Sequence, residues 1–277
     1  MSDSMDIAGQ WERDGFVNGI PILEVAETTE IRSAFDNLEQ REGPERCQIG
    51  LIDRHLDEQF VWSLATHPKV LDAVEAVMGP DILLLATHFF CKYPAASGVP
   101  GPPAAWADRG TVTAVEAEAT PTPRFVAWHQ DVTYWGLEPP FALTAWYAVD
   151  DSDVENGCMR VIPGTHDAIR EHGKSEREGN LLSINQEVPV TGAEEASAVD
   201  LCLRAGQISL HHGALIHGSN PNTSGRRRCG LTIRYVPPHV RPIEANSLRR
   251  PWKAVLVRGT DPSGNFGRTR APFPQVT

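Results

Sequence analysis

The residues best suited to chemistry in this chain are His129 and Asp131, set two apart in Trp128-His129-Gln130-Asp131. Residues two apart on a β-strand share a face, so the imidazole and the carboxylate are expected to converge on one point while Gln130 faces away. An imidazole and a carboxylate, completed by a second and distant imidazole, make a facial ligand set that leaves positions of octahedral iron(II) open. Open positions are what oxygen chemistry requires. Alone, the His-x-Asp triplet is a weak signal, because an isolated instance is more often a hydrogen-bonded surface pair. The second imidazole has three candidates, His211, His212 and His217, in the segment SLHHGALIHGSNPN that begins at Ser209. Beyond it come Arg226-Arg227-Arg228 and a strand-like run from Cys229 to Val236, where alternation puts Arg228, Gly230, Thr232 and Arg234 on one face, expected to point inward.

The elements that must hold these groups are read from the spacing of apolar residues. Residues 1–80 read as helical: Trp11 to Phe16 as a short amphipathic turn, Thr28 to Leu38 with Ile31, Ala34, Phe35 and Leu38 on one face, and His67 to Met78 with Val70, Leu71, Val74 and Val77 on one face. Gly79-Pro80 ends the last of these, and DILLLATHFFCKY, from Asp81 to Tyr93, reads as a buried strand. Residues 94–123, rich in Pro, Gly and Ala, read as one long loop. Short strands are expected at 125–130, 142–149, 158–162, 181–189, 199–203, 207–211, 214–217 and 229–236, separated by turns such as Pro163-Gly164, Ala205-Gly206 and Asn220-Pro221-Asn222. Helices first and closely spaced strands later suit an α-decorated β-sandwich or barrel.

The 277 residues are expected to form one domain, with a helical layer over 1–80, a core over 81–240 and a C-terminal wrap over 241–277. The 36 acidic against 25 basic residues give a formal charge of −11, which disfavours nucleic acid or an anionic membrane surface as principal partner and leaves a small molecule as the expected one. No apolar run approaches the ~20 residues of a membrane span. The stretch MSDSMDIAGQWERDG has neither the basic start nor the apolar core of a signal peptide, so the expected compartment is the cytoplasm. Cysteines at 47, 91, 158, 202 and 229 suit neither a disulfide framework nor a zinc site and read as reduced, mostly buried thiols, with Cys47 and Cys202 as candidates for the surface. His55, His67, His88, His166, His172 and His239 read as structural or surface residues.

The motifs WHQD, NGCMRVIPGTH, HHGALIHGSNPN and RRRCGLTIRY, in this order within residues 80–240, resemble the phytanoyl-CoA dioxygenase family, a branch of the iron(II)/2-oxoglutarate dioxygenases. The resemblance implies a fold that is mainly β with flanking helices, a double-stranded β-helix or cupin-like jelly roll with the metal at one open end and the N-terminal helices on the outer face of the larger sheet. It implies that His129, Asp131 and His217 hold iron(II). His217 is preferred to His211 and His212 for its His-Gly-Ser context and its spacing from Arg228. Arg228 would grip the distal carboxylate of 2-oxoglutarate, a task suited to a guanidinium fork. Ser219 would add a hydroxyl to the same carboxylate, Lys92 and Thr144 would stand near the co-substrate, and Trp146 would line the pocket. Tyr134 and Trp135 read equally as core packing or as a wall of the substrate site.

The implied reaction consumes 2-oxoglutarate and dioxygen, hydroxylates an unactivated C–H bond and releases succinate and carbon dioxide. Asp131 argues for hydroxylation over halogenation, because halogenating relatives lack that carboxylate. The expected substrate is a small polar metabolite, of which a 2-aminoethylphosphonate-like compound is one instance, with Arg160 or Arg234 meeting its anionic head group. Two rivals remain: a non-catalytic small-molecule-binding barrel, and a hydrolase or isomerase using another metal at the same residues. An arginine at the co-substrate position counts against the latter.

Overall fold

The computed structural model describes residues 6–101, 123–182, 185–243, 252–267 and 269–274. Helix α1 (Ile7–Asp14) starts at Asp6, whose carboxylate accepts from the Gly9 N–H at 3.0 Å. Helix α2 (Val25–Glu42) extends past the expected 28–38 at both ends. Its first turn is closed by the Glu27 carboxylate, which accepts from the Glu24 N–H at 2.9 Å. After the short α3 (Pro44–Cys47) and α4 (Gln59–Ala65), helix α5 (Pro68–Met78) begins on a proline that needs no N–H partner there and ends at Gly79.

Strand β1 (Phe16–Pro21) stands where the sequence suggested only the end of a turn. It is an edge strand whose register shifts between Val17 and Ile20, so no clean alternation marks it. The other strands of the large sheet are β2 (Ile82–Lys92), β5 (Leu143–Ala148), β10 (Gln207–His212), β12 (Arg228–Val236) and β14 (Val255–Arg258), in the order β1-β10-β5-β12-β2-β14. The small sheet runs β3-β11-β6-β9, from β3 (Val126–His129), β11 (His217–Ser219), β6 (Met159–Val161) and β9 (Val199–Leu201). Two short pairs complete the set: β13 (Arg241–Pro242) with β4 (Leu137–Glu138), and β7 (Gly173–Lys174) with β8 (Gln186–Glu187). Helices α6 (Val132–Trp135) and α7 (Gly192–Ala196) are short connectors. The strands of these sheets pair antiparallel, and the two larger sheets face each other in a jelly roll.

Two expected strands are corrected. Residues 214–216 form a turn, and the strand begins at His217, because the Leu215 N–H closes onto the His212 carbonyl at 2.9 Å. Of 181–189, only Gln186–Glu187 is a strand among the described residues. The C-terminal segment contributes an edge strand beside β2, and Trp252 and Phe266 pack against Trp135 and Leu137. The part of the expected loop at 102–122 lies outside the described residues.

Along β5, β10 and β12 alternate side chains take opposite faces of the large sheet, while irregularities in β1 and β2 break the alternation there. Phe89, Ala145, Tyr147, Ile208, Leu210, Leu231, Ile233 and Tyr235 point outward and form one core with Phe35, Leu38, Trp62, Val70 and Val74 of the helices. Each such aliphatic or aromatic side chain contributes roughly 1.5–3 kcal/mol by leaving water. Polar ties reinforce the layer: Tyr235 donates to the Ala65 carbonyl at 2.8 Å, and Arg227 reaches Asp36 at 2.8 Å, Glu39 at 2.6 Å and Asp150 at 2.8 Å. The alternate residues point inward, toward Met159, Val161 and Leu201 of the small sheet, Leu215 of the turn before β11, and the polar groups described next.

Candidate metal centre

Strands β3 and β11 are neighbours, and His129 and His217 are register partners on them. Their rings therefore lie side by side, with centroids 4.0 Å apart. Each Nδ1 sits 2.9 Å from a carbonyl two residues earlier, of Ala127 and of Leu215. A carbonyl only accepts, so each Nδ1 carries a proton and each Nε2 is the ring nitrogen turned to the shared space.

Asp131 reaches that space by a different route from the one expected. The strand ends at His129, and Asp131 has helical dihedrals, φ −62 and ψ −41, as the cap of α6. The physical reason lies in Gln130. Its N–H donates to His172 Nε2 at 2.9 Å, its side-chain amide donates to the Ala168 and Ala214 carbonyls at 2.7 and 2.6 Å, and its carbonyl oxygen Oε1 accepts from the Arg170 N–H at 2.8 Å. Thr133 then donates to the Gln130 backbone carbonyl at 2.8 Å and closes the helical turn. Gln130 does face away from the ligands, as alternation suggested, but it works as the knot that turns the chain. The ligand atoms of His129, Asp131 and His217 come within 4.8 Å of one another, and all three residues are buried.

The charge states match what a divalent cation needs. Burial alone would raise the Asp131 carboxyl, but Arg234, the contact with His129 and the neighbouring His217 hold it well below the usual carboxylate range. Burial, with His129 beside it, pushes His217 well below the ordinary histidine value, so it is neutral. An ionised carboxylate and neutral imidazoles are the protonation states in which these groups bind a metal. Tyr134 donates to Asp131 Oδ1 at 3.0 Å, and Arg234 Nε stands 4.0 Å from Oδ2. Two nitrogens and one carboxylate oxygen suit iron(II) better than a closed zinc site, which takes a fourth protein ligand.

A second cluster lies farther along the same interior. Arg228 and Lys92 are register partners on β12 and β2, 3% and 1% exposed. Lys92 Nζ donates to Ser219 Oγ at 2.5 Å and to the Asn220 and Gly157 carbonyls, which ties the two sheets together. Burial, with Arg228 beside it, pushes the Lys92 ammonium well below its ordinary value. Arg228 lies over the Trp146 ring at 5.5 Å, has no carboxylate within ion-pair range among the described residues, and leaves Nε without a hydrogen-bond partner. Trp146 leans over Gly230 of the neighbouring strand, where only a glycine leaves it room, since a Cβ there would sit 1.9 Å from the indole. A buried guanidinium beside a buried lysine, without an acid among the described residues, is a demanding arrangement unless an anion joins them.

The remaining expected residues fall into clear places. Thr144 stands opposite Arg234 and His211, at the metal end of the sheet and away from Lys92 and Arg228. Tyr134 touches the ligand set, while Trp135 lies beneath Arg234 at 4.8 Å and receives the Trp252 indole N–H on its carbonyl at 2.8 Å. Arg160 is removed from the interior: it pairs with Asp200 at 3.0 Å on the neighbouring strand, because the inward positions of β6 are Met159 and Val161. Of the two cysteines that were candidates for the surface, Cys47 is buried and Cys202 is exposed. From the sequence His211 reads only as a candidate ligand, yet it is a fully buried member of the interior with its ring 4.7 Å from that of His217. Its parity with Ser209 on one strand was the available signal. A surface cleft of about 580 Å³ bordered by Trp128, His172 and Arg177 contains none of the ligand residues.

Comparison with known proteins bears on this geometry. The family model described as phytanoyl-CoA dioxygenase (PhyH) matches residues 11–230. The peroxisomal phytanoyl-CoA dioxygenase of Bos taurus is 25% identical over 194 residues, 69% of this chain and 50% of that protein. A probable alpha-ketoglutarate-dependent hypophosphite dioxygenase of Stutzerimonas stutzeri is 24% identical over 206 residues, 74% of this chain and 63% of that protein. The chain thus spans about half the length of the mammalian relatives it matches. Among solved structures, the apo form of a non-heme monooxygenase, ThoJ, superposes with a TM-score of 0.72 at 28% identity, covering 96% of this chain and 88% of that one.

Proposed function

The chain belongs to the phytanoyl-CoA dioxygenase family, and on that premise we propose that it is an iron(II)- and 2-oxoglutarate-dependent hydroxylase of a small polar metabolite. The observation that carries this reading is the convergence of His129, Asp131 and His217 within 4.8 Å, with both imidazole Nδ1 atoms already committed to backbone carbonyls. The buried pair Arg228 and Lys92, with no acid of their own among the described residues, supports a site for the distal carboxylate of 2-oxoglutarate, and Ser219, two residues beyond His217 on β11, is bonded to Lys92. Iron(II) bound with 2-oxoglutarate and dioxygen supplies the oxidation that converts C–H to C–OH, with succinate and carbon dioxide as the other products.

The chain's own groups do the positioning. The carbonyls of Ala127 and Leu215 lock the imidazole tautomers, Tyr134 fixes the rotation of the Asp131 carboxylate, and the Gln130 knot holds Asp131 off the end of β3. Trp146, buried beneath Arg228, excludes water from the co-substrate carboxylate and so strengthens its pairing. An organophosphonate is the finer substrate proposal, supported by the hypophosphite-oxidising relative. One dioxygenase domain over 1–277 and a reducing, cytoplasmic setting belong to the same proposal, the latter supported by five free cysteines, of which Cys91 and Cys229 are unbridged register partners. No helix among the described residues is long and apolar enough to cross a membrane.

The test is anaerobic addition of iron(II) and 2-oxoglutarate to metal-free protein, followed by oxygen and a succinate assay, with His217→Ala and Arg228→Ala as controls. A visible charge-transfer band and slow succinate formation, both lost in the two variants, are expected. Absence of band and succinate in the unaltered protein refutes the reading and favours a binding barrel or another metal.

A further inference from the structure

Arg234 on β12, Thr144 on β5 and His211 on β10 form a row across the inward face of the large sheet, Arg234 opposite Thr144 and Thr144 opposite His211. They are 9%, 0% and 1% exposed. None has its hydrogen-bonding capacity met: Arg234 Nε, Thr144 Oγ1 and both ring nitrogens of His211 lack partners. The acidic neighbour of Arg234 among the described residues is Asp131, at 4.0 Å, beyond hydrogen-bond range. The guanidinium is held in place from below by the Trp135 ring, and His211 from the side by the His217 ring. Buried polar atoms are rarely left without partners, and an unpaired cation is costlier than an unpaired neutral group.

The row consists of donors. A guanidinium offers a fork of N–H groups, a threonine one hydroxyl, and an imidazole one N–H in either neutral tautomer. The nearest carboxylate, Asp131, belongs to the ligand set. One carboxylate cancels only part of a divalent cation's charge, and Arg234 adds to the excess beside it. Arg234 stands about 20 Å along the strand from Arg228, since residues in a strand rise by about 3.3 Å each, so the row is distinct from the Arg228–Lys92 pair.

We propose that Arg234, Thr144 and His211 form a second anion subsite, which holds the anionic head group of the primary substrate, a phosphonate or a carboxylate, beside the metal. This rests on the dioxygenase reading for the word substrate, but the subsite is testable without turnover.

The experiment is anaerobic calorimetric titration of the protein loaded with iron(II) and 2-oxoglutarate, using methylphosphonate, acetate and neutral dimethyl sulfone as probes. At least one anion should bind the unaltered protein and the sulfone should not. The tighter anion identifies the head group. Arg234→Gln should weaken it by at least about tenfold, as expected for a lost charged hydrogen bond, and Thr144→Val and His211→Phe by about three- to tenfold each. Arg234→Lys should recover part of the loss. In all of these, 2-oxoglutarate affinity, read from its own absorbance on iron(II), should stay within about threefold, while Arg228→Gln should lose 2-oxoglutarate instead.

The proposal is overturned if no anion binds, if the sulfone binds as well as the anions, or if Arg234→Gln weakens 2-oxoglutarate as much as the probe. Should Arg234→Gln lose its metal, the Thr144 and His211 variants decide, and unchanged anion affinity in both overturns it. If 2-oxoglutarate fails to bind at all, the dioxygenase reading falls, and the same titrations on nickel(II)-loaded protein still judge the row.

Discussion

The two faces of the large sheet are built largely from alternate residues of the same strands, and they differ in polarity: the outward face carries few polar atoms, with the Tyr147 hydroxyl lacking a partner, and the inward face carries many. Outward, Leu231, Ile233 and Tyr235 are fully buried against the helices, and the one polar atom among their side chains, the Tyr235 hydroxyl, is bonded to a carbonyl. Inward, one residue over, Arg228, Thr144, Ser209, His211 and Arg234 are buried with polar atoms that have no partner. Each such atom costs roughly 1–3 kcal/mol when left unmet. The outer core offsets that cost, so the sheet keeps stability on one side and ligand-ready groups on the other, separated along β5, β10 and β12 by the period-2 pleat.

Breaking the inward face should abolish chemistry and leave the fold. His217→Ala should remove stoichiometric metal and lower succinate formation by at least about 10³-fold, several kcal/mol of lost stabilisation, with the urea midpoint of metal-free protein little changed. Arg228→Met should weaken 2-oxoglutarate by about 2–5 kcal/mol, yet raise the stability of the unliganded protein, because a buried unpaired cation is gone. Equal or lower stability in that variant would show that Arg228 is satisfied by the protein itself.

The outward face should respond in reverse. Leu231→Ala should cost about 2–5 kcal/mol of unfolding free energy while leaving the Kd for 2-oxoglutarate unaltered. A change in that Kd would mean that the two faces are coupled through the backbone.

Acid provides a gentler probe. Burial holds His211 down to about 4, and burial with His166 nearby does the same for His212, from an ordinary value of 6.5. The unfolded chain then takes up protons that the folded chain refuses. The stability these residues permit is complete above about pH 6.5 and is lost progressively as pH falls toward 4. Urea midpoints of metal-free protein should decline across that window, and less steeply in His212→Gln. The smallest effect belongs to Arg226→Ala, where loss of an exposed pairing with Asp153 should leave the urea midpoint essentially unchanged.

Arg226, Arg227 and Arg228 show how much was legible beforehand. Alternation along the following strand singled out Arg228 as inward, and it is. That Arg227 would tie α2 to the sheet through Asp36, Glu39 and Asp150 was not legible, because those acids are distant in sequence. The buried strand at 81–93 and the helix at 67–78 were readable from local pattern. Strand β1 was not, since a bulged edge strand has no pattern of its own and exists by pairing with β10. His129 and Asp131 were rightly expected to converge, for an incomplete reason: the turn set by Gln130, bonded to Ala168, Arg170, His172 and Ala214, brings Asp131 round, not strand parity.

By itself the sequence determined the residue types, their order and the parity of each strand, because these follow from spacing along one chain. It therefore placed the facial ligand set, Arg228 and the inward face of β12 within reach of inference. Only the tertiary structure decided which distant groups meet: His217 against His129 across a strand pairing, Lys92 beside Arg228, Asp200 drawing Arg160 away, and His211 and Thr144 joined to Arg234 in one row. Those meetings depend on register between strands far apart in the chain, and register is settled by how the outer core packs, which no local pattern encodes.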